Sequence, residues 1–252
     1  MKGVILAAGD GTRLDPLTRH TPKPLVAVAG CPIVTYGLHA LIEAGVTELI
    51  IVVGHLSDQI RHALGGTCYR SARLIYVESP DRYDGNGLSL YAAREAVGEE
   101  PFILTMADHL ISPRLVRRLL ATQPTQDTLC VDRQPSPIVQ VDEATQVWVD
   151  LTGRIERIGK NLPRWNGLDT GTFWLTPAIF EAVKTLCATG VSAPTVTQAC
   201  RWLIEDGSGL RACDVSGLFW TDVDTPADLR RAERVLRTRS RSLFQPALYG
   251  EA

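Results

Sequence analysis

A glycine-rich segment and a proline-flanked lysine near the N-terminus are the residues best suited to chemistry. Residues 6–14 read LAAGDGTRL and follow the first predicted strand directly. The small side chains of this segment let backbone N–H groups approach a phosphate or a base edge closely. Lys23 comes ten residues after Arg13, between Pro22 and Pro24, which restrict the backbone and disfavour a helix there. A rigidly held lysine close to an anion-binding loop predicts a site for a phosphorylated ligand.

The same segment and the composition argue against several classes of protein. The sequence contains no G-x-x-x-x-G-K-[ST] loop, and Leu14 stands where a dinucleotide fingerprint needs its third glycine, which disfavours P-loop and NAD enzymes. Lys and Arg total 26 against 28 Asp and Glu, so the net charge of -2 disfavours nucleic acid as a partner. The six cysteines form no C-x-x-C pair, and no apolar run approaches the ~20 residues of a membrane span. We therefore expect reduced thiols and a cytoplasmic location.

Two acidic segments follow predicted strands and could hold a metal ion. Asp108 comes two residues after the strand at 102–106, and Asp222 and Asp224 precede the last predicted helix. In open parallel sheets, ligands bind beyond the carboxyl ends of the strands, so Asp108 should share a crevice with the glycine-rich loop. Mg²⁺ prefers one or two carboxylates completed by substrate phosphates and water. The sequence therefore predicts a Mg²⁺ site next to the phosphate site.

Polar residues in the second half of the chain are candidates for binding a second substrate. Lys160 follows a predicted strand, in a loop where its charge could hold a phosphate. Asp169, Thr170 and Gly171 offer a carboxylate, a hydroxyl and a close backbone approach to a polyol, although the same three residues are also typical of a turn. Asp132 ends another predicted strand and could reach hydroxyl groups of the same substrate.

Asn86 and Ser89 have two interpretations. Both stand at the start of the helix predicted at 88–97, where their side chains could contact a base or a ribose. The same residue types also cap helices, so the helix alone could explain them. The sequence leaves both interpretations open.

Short β-rich segments alternate with helical patterns in the first half of the chain. Strands are predicted at 4–7, 48–53, 74–77 and 102–106, and helices at 32–44, 58–64, 88–97 and 113–121. This alternation is typical of α/β proteins with right-handed crossovers. The later segments are a strand at 128–132, a hairpin over 146–158, a strand at 169–174, and helices that start after Thr176-Pro177 and Thr225-Pro226. We predict one α/β domain with a Rossmann-like mixed, mostly parallel sheet flanked by helices, and a small β insertion.

The glycine-rich loop and the lysine together resemble the signature of the nucleotidyltransferases that activate sugar phosphates and related phosphoesters. The matching residues read LAAGDGTRLDPLT, followed by PKPL. The resemblance implies that Arg13 meets the β- and γ-phosphates of a nucleoside triphosphate and that Lys23 stabilises charge at its α-phosphate. The nucleotide-binding set that it implies is Leu6, Ala7, Ala8, Gly9, Gly11, Thr12, Arg13, Lys23, Asn86, Ser89 and Asp108.

Further segments are similar to the cytidylyltransferases that act on inositol 1-phosphate. They read NGLSL at 86–90, ADH at 107–109, DEATQV at 142–147, IGK at 158–160, DTGTF at 169–173 and WTDVDTPADL at 220–229. This resemblance implies the nucleotide-diphospho-sugar transferase type of fold, CTP as donor and Mg²⁺ as cofactor. The metal ligands that it implies are Asp108 and Asp224, with Asp222 as the alternative. The acceptor-binding set is Asp132, Lys160, Asp169, Thr170 and Gly171, and Lys160 joins Arg13 and Lys23 as a catalytic cation.

From this resemblance we expect the transfer of CMP from CTP to an alcohol phosphate, giving a CDP-alcohol and pyrophosphate. Inositol 1-phosphate is the preferred acceptor, and a phosphonate, phosphocholine or a sugar 1-phosphate is the alternative. An inactive nucleotide-binding regulator is the alternative from a different class. The long spacing from Arg13 to Lys23 disfavours the molybdenum-cofactor branch.

The resemblance extends over residues 1–236, which we predict to be a single nucleotidyltransferase domain followed by a basic tail or connector at 237–252. The cytidylyltransferase branch is often fused to a membrane-embedded CDP-alcohol phosphotransferase, which implies functional coupling to such an enzyme. The sequence does not set the oligomeric state, for which a homodimer is one candidate.

Overall fold

The computed structural model describes residues 1–80 and 85–243, with the backbone alone for 239–243. In these residues the strands are β1 (Lys2–Ala7), β2 (Ala27–Val28), β3 (Cys31–Pro32), β4 (Glu48–Val53), β5 (Cys68–Tyr69), β6 (Ala72–Glu78), β7 (Phe102–Met106), β8 (His109–Ile111), β9 (Thr128–Asp132), β10 (Gln146–Val149), β11 (Ile155–Gly159), β12 (Gly167–Leu175), β13 (Arg211–Asp214) and β14 (Trp220–Asp222). The helices are α1 (Ile33–Glu43), α2 (Ser57–Leu64), α3 (Asn86–Ala92), α4 (Arg94–Val97), α5 (Pro113–Ala121), α6 (Ala178–Ala188), α7 (Val196–Glu205) and α8 (Pro226–Leu243).

Within the described residues, a ten-stranded mixed sheet forms the centre of the fold. Its order is β11-β10-β12-β7-β1-β4-β6-β5, and β9 pairs with both β12 and β13. The central strands β7, β1, β4 and β6 run parallel, and β12 is antiparallel to β7. Helices α1, α2 and α5 pack on one face of the sheet, and α3, α6 and α7 pack on the other. The predicted α/β class with a mixed, mostly parallel core is confirmed.

Strand β4 illustrates why the central strands form where they do. Its sequence ELIIVV is a continuous apolar run, and residues 49–53 are fully buried. Leu49 and Ile51 pack into the core on one face of the sheet, while Ile50 and Val52 pack into the core on the other. A parallel strand covered by helices on both faces requires apolar residues at every position, because successive side chains point to opposite faces.

The carboxyl ends of β1 and β7 lie side by side in the sheet. The two strands pair in parallel with Leu6 opposite Met106, and the N–H of Ala107 donates to the carbonyl of Leu6 at 3.0 Å. The glycine-rich loop that follows β1 therefore lies next to Asp108, which follows β7. This is the edge of the sheet at which ligands bind in open α/β folds.

A separate two-stranded sheet brings the second acidic segment to the same edge. Strand β14 pairs antiparallel with β8, which places Asp222 opposite His109. One residue further on, the N–H of Val223 donates to the carbonyl of Asp108 at 3.0 Å. Asp224 follows and α8 begins, with the carboxylate of Asp228 accepting from the N–H and hydroxyl of Thr225.

The structure differs from the predicted elements at a few places. Helix α7 and the short strands β2, β3, β5, β8, β13 and β14 were not predicted, and the helix predicted at 88–97 is divided into α3 and α4. Lys23 begins a single 3-10 turn over Lys23–Leu25, although its prolines predicted a non-helical segment. Pro24 lies within the first turn, where its missing N–H costs no hydrogen bond.

The final helix crosses the predicted end of the domain. Helix α8 continues to Leu243, past residue 236, and residues 244–252 of the predicted tail lie outside the described residues. No helix in the described part of the chain combines the length and the hydropathy that a bilayer-spanning segment requires.

Candidate active site

The loop after β1 takes its shape from glycine and from its contact with Lys23. Gly11 has a φ of +69°, and a Cβ added there would lie 2.6 Å from the Cβ of Lys23. The carboxylate of Asp10 accepts from the N–H of Thr12 at 3.2 Å, and the hydroxyl of Thr18 donates to the carbonyl of Gly11 at 2.9 Å. Only glycine permits both this backbone conformation and this close approach of the lysine.

Lys23 forms the centre of the site. Its Nζ donates to Asp108 Oδ2 at 2.7 Å and to Asp224 Oδ1 at 2.5 Å, and its side chain is 11% exposed. The guanidinium of Arg13 lies 2.8 Å from Asp224 Oδ2 and 3.7 Å from Glu143 Oε2. The lysine, the arginine and both predicted metal ligands thus form one connected network of charges.

Burial and neighbouring charges set the ionisation of this network. Burial alone would lower the pKa of Lys23, but the carboxylates of Asp108 and Asp224 raise it above its ordinary value. Burial would raise the pKa of Asp108, but the charges of Lys23 and His109 hold it well below its usual range. Lys23 and Asp108 are therefore both charged at neutral pH.

His109 connects this network to the residues around it. Its Nδ1 lies 2.6 Å from Asp108 Oδ1. Burial would lower the pKa of His109, but the neighbouring Asp108 carboxylate raises it to about 9. Two carboxylates nearby behave differently, because burial raises the pKa of Asp169 to about 6 and also raises that of Asp222.

Two cavities adjoin at Asp224, which lines both. The first has a volume of about 240 Å³ and is lined by Leu6, Ala7, Gly9, Asp10, Gly11, Thr12, Arg13, Lys23, Pro24, Ala107, Asp108 and Asp224. The second has a volume of about 160 Å³ and is lined by Asn86, Met106, His109, Glu143, Ala144, Thr145, Lys160, Asp169, Gly171, Phe173, Val196, Thr197, Trp220, Asp222 and Asp224. The first cavity holds most of the predicted nucleotide residues, and the second holds most of the predicted acceptor residues.

Three residues of the predicted nucleotide set lie elsewhere. Ala8 is buried against Gly54 and lines neither cavity. Ser89 is buried as well, and its hydroxyl is 2.9 Å from that of Ser79. Asn86 lines the second cavity, where its side-chain oxygen accepts from the N–H of Val196 at 2.8 Å and ties α3 to α7.

Two residues of the predicted acceptor set point away from the second cavity. Thr170 is fully buried and donates to the carbonyl of Cys130 at 3.0 Å, because adjacent residues of a strand face opposite sides. Asp132 is buried beneath Trp220 and accepts from its indole N–H at 2.8 Å. Lys160, Asp169 and Gly171 line the cavity as expected.

Asp108 and Asp224 fit a divalent metal ion. Each brings one carboxylate oxygen to the same atom, Lys23 Nζ, so the pair already shares a cation. Carboxylate oxygens are the hard donors that Mg²⁺ accepts, together with phosphate and water. Asp222 lines only the second cavity, on the side of His109.

Several residues that line the two cavities had no role predicted from the sequence. Asp10 and Pro24 belong to segments that were identified, but neither was given a role. Val196 and Thr197 open α7, whose start was marked in the sequence by the capping box of Thr195 and Gln198. Glu143, Ala144 and Thr145 lie in an irregular segment before β10, and although they belong to the matching segment DEATQV, no role was predicted for them.

Known proteins resemble this chain over most of its length. A family model described as nucleotidyl transferase matches residues 2–239. The bifunctional IPC transferase and DIPP synthase of Rubrobacter xylanophilus is 37% identical over 236 residues, which are 92% of this chain and 51% of that protein. The CMP-5'-(3-aminopropyl)phosphonate synthase of Streptomyces rubellomurinus is 31% identical, over 99% of this chain and 41% of that protein. The chain thus spans about half the length of the curated relatives that it matches.

A solved structure shares the fold. The inositol-1-phosphate CTP transferase from T. maritima superimposes with a TM-score of 0.79, covering 93% of this chain and 96% of that one, at 24% sequence identity.

Proposed function

The chain belongs to the nucleotidyl transferase family, and from that premise we propose that it transfers CMP from CTP to inositol 1-phosphate with release of pyrophosphate. The family makes it an enzyme that joins a nucleotide to a sugar phosphate or an alcohol phosphate. The choice of CTP and inositol is our proposal. It is supported by the IPC transferase relatives, two of which are 37% and 36% identical to this chain.

The observation that carries the proposal is the meeting of the two cavities at Asp224, beside Lys23. A nucleoside triphosphate in the first cavity would place its phosphates against the glycine-rich loop and Arg13. An alcohol phosphate in the second cavity would lie between Lys160 and Asp169. The two substrates would then face each other where Lys23, Asp108 and Asp224 concentrate charge.

The proposed reaction is an in-line displacement at the α-phosphorus of CTP. A phosphate oxygen of the acceptor forms the new P–O bond, and the bond to the β-phosphate oxygen breaks, so that pyrophosphate leaves. A phosphate monoester has a second pKa of about 6 and is largely dianionic at neutral pH, so its attack needs no general base. The enzyme must instead bring two anions together and stabilise the charge that develops.

The cations of this chain divide that task. Arg13 would bind the leaving phosphates, Lys23 would stabilise the α-phosphate, and Lys160 would hold the acceptor phosphate. Enzymes of this family typically depend on a divalent metal, which Asp108 and Asp224 would hold and which would neutralise phosphate charge. Since Lys23 contacts both carboxylates, its ammonium group would turn from them toward the α-phosphate of a bound nucleotide.

A phosphonate acceptor is the second candidate, and a specific relative favours it. The Streptomyces rubellomurinus protein, named for a CMP-phosphonate product, is 31% identical over nearly the whole chain. Phosphonate and phosphate groups present the same oxygens to Lys160, so the cations of the site do not separate the two classes of acceptor.

With either acceptor, the cytidylylated product would pass to an enzyme that uses its activated headgroup, such as a membrane-bound phosphotransferase.

The test is pyrophosphate release with Mg²⁺ across nucleotides and acceptors. CTP, UTP, dTTP, ATP and GTP are each paired with inositol 1-phosphate, phosphocholine, 2-aminoethylphosphonate and glucose 1-phosphate. Turnover confined to CTP with inositol 1-phosphate supports the proposal. Turnover of CTP with a phosphonate keeps the mechanism and changes the acceptor, and preference for UTP or dTTP with glucose 1-phosphate would contradict it. An inactive protein that still binds nucleotide would favour a regulatory role.

A further inference from the structure

We infer that His109 is a positioning residue that fixes the orientation of Asp108 and thereby the affinity of the site for its divalent metal. The inference rests on the proposed function only in treating Asp108 as a metal ligand. His109 faces the acceptor cavity, whereas Asp108 faces the nucleotide cavity. The contact between them therefore joins the linings of the two cavities.

The two oxygens of Asp108 have different partners. Oδ1 lies 2.6 Å from His109 Nδ1, and Oδ2 accepts from Lys23 Nζ at 2.7 Å. A carboxylate held through one oxygen can rotate about its Cβ–Cγ bond, whereas one held through both oxygens cannot. Because His109 occupies Oδ1, Oδ2 stays directed toward Lys23 and Asp224, where a metal would bind.

The imidazole of His109 is itself held on several sides. Its ring stacks on Trp220, with the centroids 6.4 Å apart and the planes 14° from parallel. The indole N–H of Trp220 donates to the buried carboxylate of Asp132 at 2.8 Å, which fixes the indole in turn. On the other edge, a Cβ added at Gly171 would lie 2.6 Å from His109 Nε2. The histidine side chain is only 15% exposed.

This arrangement gives functions to residues that are not themselves assigned as metal ligands. Asp132 supports Trp220, Trp220 supports His109, and His109 orients Asp108. Glycine at position 171 leaves the space that the ring occupies. In metalloenzymes, removal of a group that orients a ligand typically weakens metal binding by about 10-fold to 100-fold.

Three substitutions of His109 separate positioning from packing. His109→Asn retains an N–H at the place of Nδ1 but loses the ring that stacks on Trp220. His109→Phe retains a ring but loses the donor, and His109→Leu repeats the test without a donor should the larger ring not fit beside Gly171. Exposed His62 on α2 supplies the control His62→Asn.

The readout is Mn²⁺ affinity, measured by titration of the purified protein with Mn²⁺ alone, together with the thermal unfolding midpoint. We expect His109→Phe and His109→Leu to bind Mn²⁺ at least ~10-fold more weakly than the wild type, and His109→Asn to stay within a few-fold. Equal weakening in the Asn and Phe variants, wild-type affinity in the Phe variant, or no change in any of them would overturn the inference. The titration uses no acceptor, so its result stands even if inositol 1-phosphate is not the substrate.

Discussion

Lys23 Nζ lies 2.7 Å from Asp108 Oδ2, although 85 positions separate the two residues in the sequence. Asp224, a further 116 positions along the chain, contacts the same ammonium group at 2.5 Å. The parallel pairing of β1 with β7 and the small β8–β14 sheet produce this arrangement. The lysine thus pairs with both carboxylates that are the candidate metal ligands.

Lys23→Ala should have opposite effects on turnover and on metal binding. Turnover should fall by at least ~10²-fold, since a preorganised charge at the reacting phosphate is lost. Mn²⁺ affinity without nucleotide should rise, because the cation that competes for Asp108 and Asp224 is gone. Steady-state kinetics and Mn²⁺ titration check the two effects, with Lys184→Ala, at an exposed position of α6, as the control. An active Lys23→Ala enzyme would exclude the assigned role.

Gly11→Ala tests the contact between the loop and Lys23. Alanine at this positive φ costs about 1–2 kcal/mol, and its Cβ would also collide with the Lys23 side chain. Gly30 is the matched control, with a φ of +86° and no atom within 4 Å of an added Cβ. We expect both variants to lose stability, as measured by denaturant unfolding, but only Gly11→Ala to lose most of its turnover. Equal turnover in the two variants would contradict the importance of this contact.

The identity of the second metal ligand is tested by Asp224→Asn and Asp222→Asn. Asp224 contacts both Lys23 and Arg13, whereas Asp222 lies opposite His109 and lines the second cavity. We expect the Mg²⁺ concentration for half-maximal rate to rise about tenfold or more in Asp224→Asn. Asp222→Asn should chiefly raise the KM of the acceptor. The reverse pattern in Mg²⁺ titrations would make Asp222 the ligand.

Lys160→Ala should raise the KM of the acceptor by about 10-fold to 100-fold, because it removes a charged contact to a phosphate that is worth roughly 1.5–3 kcal/mol. The KM of CTP should change little, since Lys160 lines only the second cavity. Arg164→Ala is the control, as Arg164 is exposed in the same loop and lines neither cavity. A rise in the KM of CTP that equals the rise for the acceptor would place Lys160 on the nucleotide side.

Asp169→Asn should stabilise the protein at pH 8 and have much less effect at pH 4. Burial raises the folded-state pKa of Asp169 from 3.8 to about 6, so the folded chain keeps a proton that the unfolded chain has already lost. Stability therefore falls as the pH rises from about 4 to 6 and remains lower above that range. Asparagine keeps an oxygen that can accept from the N–H of Gly171 but carries no charge.

The measurement is the thermal unfolding midpoint of Asp169→Asn and of the wild type at pH 4 and at pH 8. If the substitution raises the free energy of unfolding by about 1 kcal/mol at pH 8, the midpoint should rise by roughly 2–4 °C for a chain of this size. The same gain at both pH values would show that the carboxylate charge is not its cause.

The sequence predicted elements well where the local pattern was strong. The run at Glu48–Val53 and that at Phe102–Met106 have the bounds that were predicted, because a buried parallel strand is a continuous apolar segment. Strands β8 and β14 are only three residues long, too short to show any periodicity. They exist because they pair with each other across the fold, and a single sequence does not reveal that pairing.

Part of the site could likewise be predicted from the sequence. Residues next to glycine or proline signals, such as Arg13 and Lys23, do line the first cavity. Ser89 and Thr170 were placed in the site by their chemical type, but the helix and the strand that carry them turn their hydroxyls inward. The direction of a side chain depends on the register of its element against its neighbours, which only the folded structure supplies.

The proposed reaction is tested most directly by following a label at the α-phosphate of CTP. The enzyme is incubated with [α-³²P]CTP, inositol 1-phosphate and Mg²⁺, and the products are separated and identified by mass and ³¹P NMR. Transfer of CMP predicts that the label moves into a CDP-inositol product and that the pyrophosphate is unlabelled. Lys23→Ala should form little of this product. Label found only in CMP, or left in CTP with every acceptor offered, would contradict the transfer.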